Sequence, residues 1–119
     1  MSQHPKAETI DPATLDELRD LGPEVLRSVA ELFIQDTRAR LDELRAQSAS
    51  NDMQQLERLA HALKGSCGAV GASRMMRIAA ELQQRFHDGQ SDQTAQLLTD
   101  LETEYKEACA LLQRELDGA

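Results

Sequence analysis

At 119 residues the chain is long enough to bury one core without metal or disulfide support, and a single domain is the default at this length. Forty per cent hydrophobic residues, with two Phe, one Tyr, no Trp and three Pro, point to helices and away from a β-sandwich or a doubly wound sheet. The 21 acidic against 13 basic residues leave a net charge of −8, whose field repels nucleic acid, so no nucleic-acid partner is expected.

Residues 1 to 10 are polar and unpatterned, which predicts a mobile tail ahead of a domain at 11–119 and gives His4 no role. The segment has no hydrophobic signal core, and no apolar run approaches membrane-spanning length. The expectation is a cytoplasmic protein with no membrane partner. Asp11-Pro12 is a helix start, an N-cap followed by proline at the first helical position, and Leu15, Leu18 and Leu21 make the helix short and amphipathic. Gly22-Pro23 ends it and opens a long second helix to about Gln47, with Leu26, Val29, Phe33, Thr37, Leu41 and Leu44 inward.

A polar connector, Ser48 to Asp52, follows, in which Asn51 and Gln54 have the spacing of a capping box. The next helix has its apolar seam at Met53, Leu56, Ala60, Leu63, Cys67 and Val70. Gly71 is placed to close it and Ser73 to cap a fourth helix with Met75, Ile78, Ala79, Leu82 and Phe86 inward. His87 then stands where an imidazolium favours a helix C-terminus, a structural role. A breaker at Asp88–Asp92 precedes the last helix, whose face is Leu98, Leu101, Tyr105, Ala108, Leu112 and Leu116. Short connections favour antiparallel neighbours, so the predicted fold is an all-α antiparallel four-helix bundle with a short additional N-terminal helix. Cys67 and Cys109 fall in or beside apolar rows and read as reduced core residues, with no metal site suggested.

One residue of the third helix is out of keeping with a plain bundle. At about 100° per residue, His61 lies roughly 100° or more from the centre of the seam and faces water. Glu57 and Arg58 are one turn behind it, Lys64 and Gly65 one turn ahead, and Gly68 two turns ahead. Each interior glycine costs a helix about 1 kcal/mol relative to alanine. Both lie on the exposed side, where no packing requires smallness, as though something large approaches.

The residues His61, Leu63, Lys64, Gly65, Ser66, Val70, Gly71 and Ala72 resemble the motif of the histidine-containing phosphotransfer (HPt) family, most specifically in His61-x-Leu63-Lys64-Gly65. The helical pattern shares the likeness over most of residues 12 to 116. The resemblance implies that His61 is a phosphoacceptor, taking a phosphoryl group from a receiver-domain aspartate and passing it to another receiver. It implies receiver domains and a hybrid sensor kinase as partners, a four-helix bundle, and no kinase activity in this chain. Mg²⁺ would belong to the receiver; no cofactor is expected here. The family often has a glutamine beside the histidine ring, and the matching position is Gln83, with Gln84 as the register alternative.

The residues themselves admit plainer readings. An exposed helical histidine is commonly a surface residue, and Lys64 is commonly a solvated partner of some carboxylate. A phosphoryl dianion in mid-helix finds no free backbone N–H, however, so a side-chain cation such as Lys64 has to stabilise it. Glu57 can bond an imidazole nitrogen, although pairing with a lysine or arginine is the commoner use of such a carboxylate. Gly65 and Gly68, with Glu57 and Arg58, outline a surface for a partner.

Two other functions compete. One is the phosphoacceptor and dimerisation helix pair of a sensor kinase, against which stand Ala62, where most such kinases have an acidic residue, and the lack of an ATP-binding segment downstream. The other is a non-catalytic helical adaptor. The acidic surface and complete core favour a monomer.

Overall fold

The structure, a computed structural model, describes residues 8–118. Its helices are α1 (Pro12–Asp20), α2 (Pro23–Gln47), α3 (Met53–Gly68), α4 (Ser73–His87) and α5 (Thr94–Asp117). No strand occurs among the described residues. The four long helices form the bundle, with α1 laid on α2. Cross-helix bonds give the directions: His61 meets Gln83 and Glu57 meets His87 between α3 and α4, while Ile34 meets Tyr105 and Arg38 meets Glu102 between α2 and α5. Both pairs are antiparallel.

Local chemistry sets the helix ends. Asp11 caps α1 by accepting from the Ala13 N–H at 3.2 Å, with Pro12 at the first position. The expected Asn51–Gln54 capping box is not formed. Asn51 has φ 61° and is used to turn the chain, so Asp52 becomes the N-cap and accepts from Gln55 N–H at 3.1 Å. Gly71, with φ 71°, closes α3 as expected: Gly71 N–H donates to Gly68 O at 3.1 Å and Ala72 N–H to Cys67 O at 2.9 Å. A Cβ there would also lie 2.8 Å from Thr14 of α1, so close approach requires glycine as well as the backbone angle.

Ser73 does not cap α4. It is the first helical residue, and its hydroxyl turns back to Gly71 O at 3.2 Å. The helix start is served instead by the chain entering α1, where Glu8 O accepts from Arg74 N–H at 3.2 Å. Residues 8 to 10, assigned above to a tail, are therefore packed down, and Ile10 is buried in the core. The rest of that expected tail, including His4, lies outside the described residues.

One contiguous core runs through all five helices, drawn from the seams read in the sequence: Leu26, Phe33, Thr37, Leu41 and Leu44 on α2, Leu56, Ala60, Leu63 and Cys67 on α3, Met75, Ala79, Leu82 and Phe86 on α4, and Leu98 to Leu116 on α5. Each fully buried leucine contributes about 1.5–3 kcal/mol relative to an exposed one. Four residues expected to point inward shift. Leu21 is 64% exposed, because it stands at the helix end where Gly22, at φ 109°, turns the chain away. Ala30 fills the inward position of α2 while Val29 is half-buried, and Met53 and Ile78 pack at the edge of the core.

Between α2 and α5, Arg38 bonds Glu102 at 2.7 and 2.9 Å and lies over the Tyr105 ring at 5.1 Å. The Tyr105 hydroxyl donates to Ile34 O at 2.7 Å. The bond from Arg38 holds the Glu102 carboxyl below its usual range. A folded pKa below the unfolded value of about 4.3 means that this contribution is complete above that value and is lost as pH falls through the folded pKa. Glu102→Gln should lower Tm at pH 7 by about 2–4 °C. The deficit should begin to narrow as melts are taken below about pH 4.3 and should close once the pH lies below the folded pKa. An equal deficit at every pH would assign Glu102 to packing alone.

Candidate functional site

Because Ala60 and Leu63 take the core side of α3, His61 between them is turned to solvent. Glu57 and His61 form an i,i+4 pair on α3, Gln83 and His87 another on α4, and the antiparallel packing sets the pairs against each other. Gln83 Nε2 stands 3.3 Å from His61 Nδ1, and His87 Nδ1 stands 3.2 Å from Glu57 Oε2. Gln84 bonds Asp88 Oδ1 at 3.1 Å, so Gln83 is the glutamine at the ring. No protein atom among the described residues bonds His61 Nε2, which is open to the outside.

An open groove of about 710 Å³ runs past the imidazole, lined by Gln54, Glu57, Arg58, His61 and Gln83. A second hollow of about 390 Å³ adjoins it, sharing Glu57 and Gln83 and adding Lys64, Ala80, Gln84 and His87. Lys64 thus stands in the neighbouring hollow, and among the described residues it has no ion-pair partner. Arg58 is exposed, with its guanidinium turned back to Gln55 Oε1 at 2.8 Å. Among the described residues Glu57 pairs with neither a lysine nor an arginine, and with an imidazole other than the expected one: His87, read above as a helix-end residue, is drawn into the site. The signal was present in the sequence, since His87 follows Gln83 by one turn as His61 follows Glu57, but it becomes visible only once α3 and α4 are known to be paired.

The glycines differ. Around a Cβ built on Gly65 there is no atom within 4 Å, so nothing in the bundle explains its smallness. A Cβ on Gly68 would meet Met76 Cε at 3.7 Å, an ordinary contact, so α4 borders that position.

Beneath this surface the rotation of α3 is pinned from α2. Arg40 Nε donates to Asp36 Oδ2 and Ser66 Oγ, each at 2.9 Å, and the Ser66 hydroxyl donates to Asp36. The bonds from Ser66 and then Arg40 hold the Asp36 carboxyl below its ordinary range. The sequence reading gave Ser66 no role of its own, and this cluster across two helices was not foreseen. Cys67, at 0% exposure, has its thiol pushed up to about 12 by burial, which makes it an inert core residue. Among the described residues no group of three or more His, Cys, Asp or Glu is arranged to hold a metal ion, and no helix is long and apolar enough to cross a membrane.

The site therefore offers an exposed imidazole, held through one nitrogen and open at the other, with an unpaired ammonium nearby and a glycine-cleared approach. That is equipment for a nucleophile that accepts a group delivered by a large partner.

A family model described as the Hpt domain matches residues 28–115. The chain is 33% identical over 79 residues to the sensor protein TorS of Escherichia coli, a stretch that is 66% of this chain and 9% of that protein's length. Histidine-containing phosphotransfer protein B of Pseudomonas aeruginosa superposes with a TM-score of 0.88 at 24% identity, covering 96% of this chain and 99% of that one. A histidine-containing phosphotransfer protein of Medicago truncatula gives 0.76 at 20% identity, over 92% of this chain and 82% of its own.

Proposed function

This chain belongs to the Hpt domain family, and from that premise we propose that it is a phosphorelay intermediate in which His61 is the phosphoacceptor. The observation that carries the reading is the open Nε2 of His61 with Nδ1 engaged by Gln83 at 3.3 Å. For Nε2 to hold the lone pair, Nδ1 must carry the hydrogen, and the glutamine must present its oxygen to it. A half-turn of the amide from the orientation with Nε2 inward does this. Nε2 then attacks the phosphorus of a receiver's aspartyl phosphate, the N–P bond forms as the P–O bond breaks, and the electron pair leaves with the aspartate carboxylate. The reverse step returns the phosphoryl group to an aspartate of another receiver. The chain supplies positioning and one compensating charge, which is most of what phosphoryl transfer asks of a protein; the receiver brings the Mg²⁺ and the acid. Hybrid sensor kinases are the upstream partners in this reading, and the protein has no kinase activity of its own.

The test is incubation with a phosphorylated receiver domain. Radiolabel should pass to this protein and be acid-labile and alkali-stable, as a phosphoramidate is. An adaptor gains no label, and a kinase fragment needs ATP instead.

In this scheme Lys64 is the cation for the phosphoryl oxygens, reaching over from the adjoining hollow. Lys64→Ala should slow transfer and lower the yield of the phosphorylated form about tenfold, the equivalent of one hydrogen bond to a charged group. Helicity should be unchanged. Identical transfer rates would return Lys64 to the solvated surface.

A further inference from the structure

The Glu57–His87 pair has no part in the transfer just described, yet it lines the hollow that holds Lys64, and Glu57 borders the groove at His61 as well. Glu57 is one turn from His61 and two turns from Lys64 on the same helix, and it lines both hollows. Its carboxylate contacts neither of them; it is held at 3.2 Å by His87 Nδ1, at the last residue of α4. The Glu57 side chain is 32% exposed and that of His87 65%, so both have room to turn. Resting on the phosphoacceptor reading, we infer that His87 is a positioning residue for phosphoryl transfer, which acts by holding the Glu57 carboxylate away from His61 and Lys64.

The charges give the reason. Phosphorylation turns His61 into the carrier of a dianion. A free Glu57 would have two places to go along its own helix. Toward His61 it sets a negative charge beside the dianion, and toward Lys64 it occupies the cation that the phosphoryl oxygens need. Both outcomes disfavour the N–P bond. Across some 6 Å of water-like medium, repulsion between a dianion and a carboxylate shifts an equilibrium about fivefold to tenfold. The imidazole at the end of α4 offers the carboxylate a third partner, one that is neither the acceptor nor the cation for the phosphoryl oxygens. Arg58, which lines the first groove with Glu57, is turned back to Gln55.

The test uses potassium phosphoramidate, a small donor that needs no docking surface, and reads the yield and lifetime of phosphorylated His61 by ³¹P NMR in the full chain. His87→Ala should cut the yield about fivefold. His87→Lys, which supplies a cation for Glu57, should restore most of it. Glu57→Gln should raise the yield above wild type, and the double variant Glu57→Gln with His87→Ala should match Glu57→Gln alone. That coupling separates positioning from misfolding, because a fold damaged by His87→Ala is not repaired by removing a charge. An undiminished yield in His87→Ala, or the same loss with and without Glu57, overturns the inference and leaves the phosphoacceptor reading standing. A wild-type protein that takes label from neither phosphoramidate nor a phosphorylated receiver removes the reading and the inference together.

Discussion

Replacing His61 by Gln should abolish phosphoryl acceptance from every receiver while leaving the melting temperature within about 4 °C of wild type. The loss is complete because the reaction needs a nitrogen lone pair to attack phosphorus. A glutamine amide nitrogen has its pair delocalised into the carbonyl, as has that of Gln83, the Lys64 ammonium has no free pair while protonated, and the remaining imidazole of the site, His87, is engaged by Glu57 at 3.2 Å at the end of α4. The fold survives because His61 is exposed, off the seam occupied by Leu56, Ala60, Leu63 and Cys67. Its side-chain bond to Gln83 is at the surface, where a hydrogen bond is worth about 1 kcal/mol net. The paired measurement is a transfer assay beside a thermal melt. Retained labelling in the variant, or label that survives acid, would move the phosphoacceptor elsewhere.

Gly65→Gln separates stability from function in the opposite sense. Any ordinary residue has a better helix propensity than glycine, by about 0.5–1 kcal/mol. Nothing in the bundle stands within 4 Å of a Cβ at this position, and its backbone is helical. Tm should rise by about 2–4 °C. Transfer to and from receivers should fall by roughly a hundredfold or more, because the side chain projects one turn ahead of His61 and holds the receiver's aspartate out of covalent range, where a misplacement of about 1 Å has that cost. Phosphoramidate, which needs no flat approach, should label the variant nearly as well as wild type. A variant that unfolds would show that glycine serves helix packing. One that transfers normally would show that partners approach from another side.

The helices and their seams were legible because they depend on neighbours along the chain. Leu56, Leu63 and Cys67, or Leu101, Ala108 and Leu112, repeat at the helical period, and burial follows from which side the period favours. Where the expectation shifted, a contact from outside the local segment decided. Asn51 lost its capping role to Asp52 because the turn took its left-handed backbone, and Ser73 lost its role to Glu8, a residue 65 positions earlier that no periodicity connects to α4.

His61, Lys64 and Gly65 stand within two turns of one helix, so their proximity is a property of the sequence: helical geometry places i, i+3 and i+4 together whatever the rest of the chain does. The sequence by itself therefore determined an exposed imidazole, a nearby cation and a glycine in place of a side chain one turn ahead. It did not determine which nitrogen of His61 is held, which glutamine holds it, or what becomes of the Glu57 charge. Those were decided by the offset between α3 and α4. A shift of one residue along α4 would turn Gln84 in place of Gln83 toward His61 and swing His87 off Glu57, since each step rotates a side chain by about 100°. The offset is set by core packing of Leu63, Cys67, Met75, Ala79 and Leu82 and by the closure at Gly71, interactions between residues that the linear pattern marks as inward but cannot match with one another.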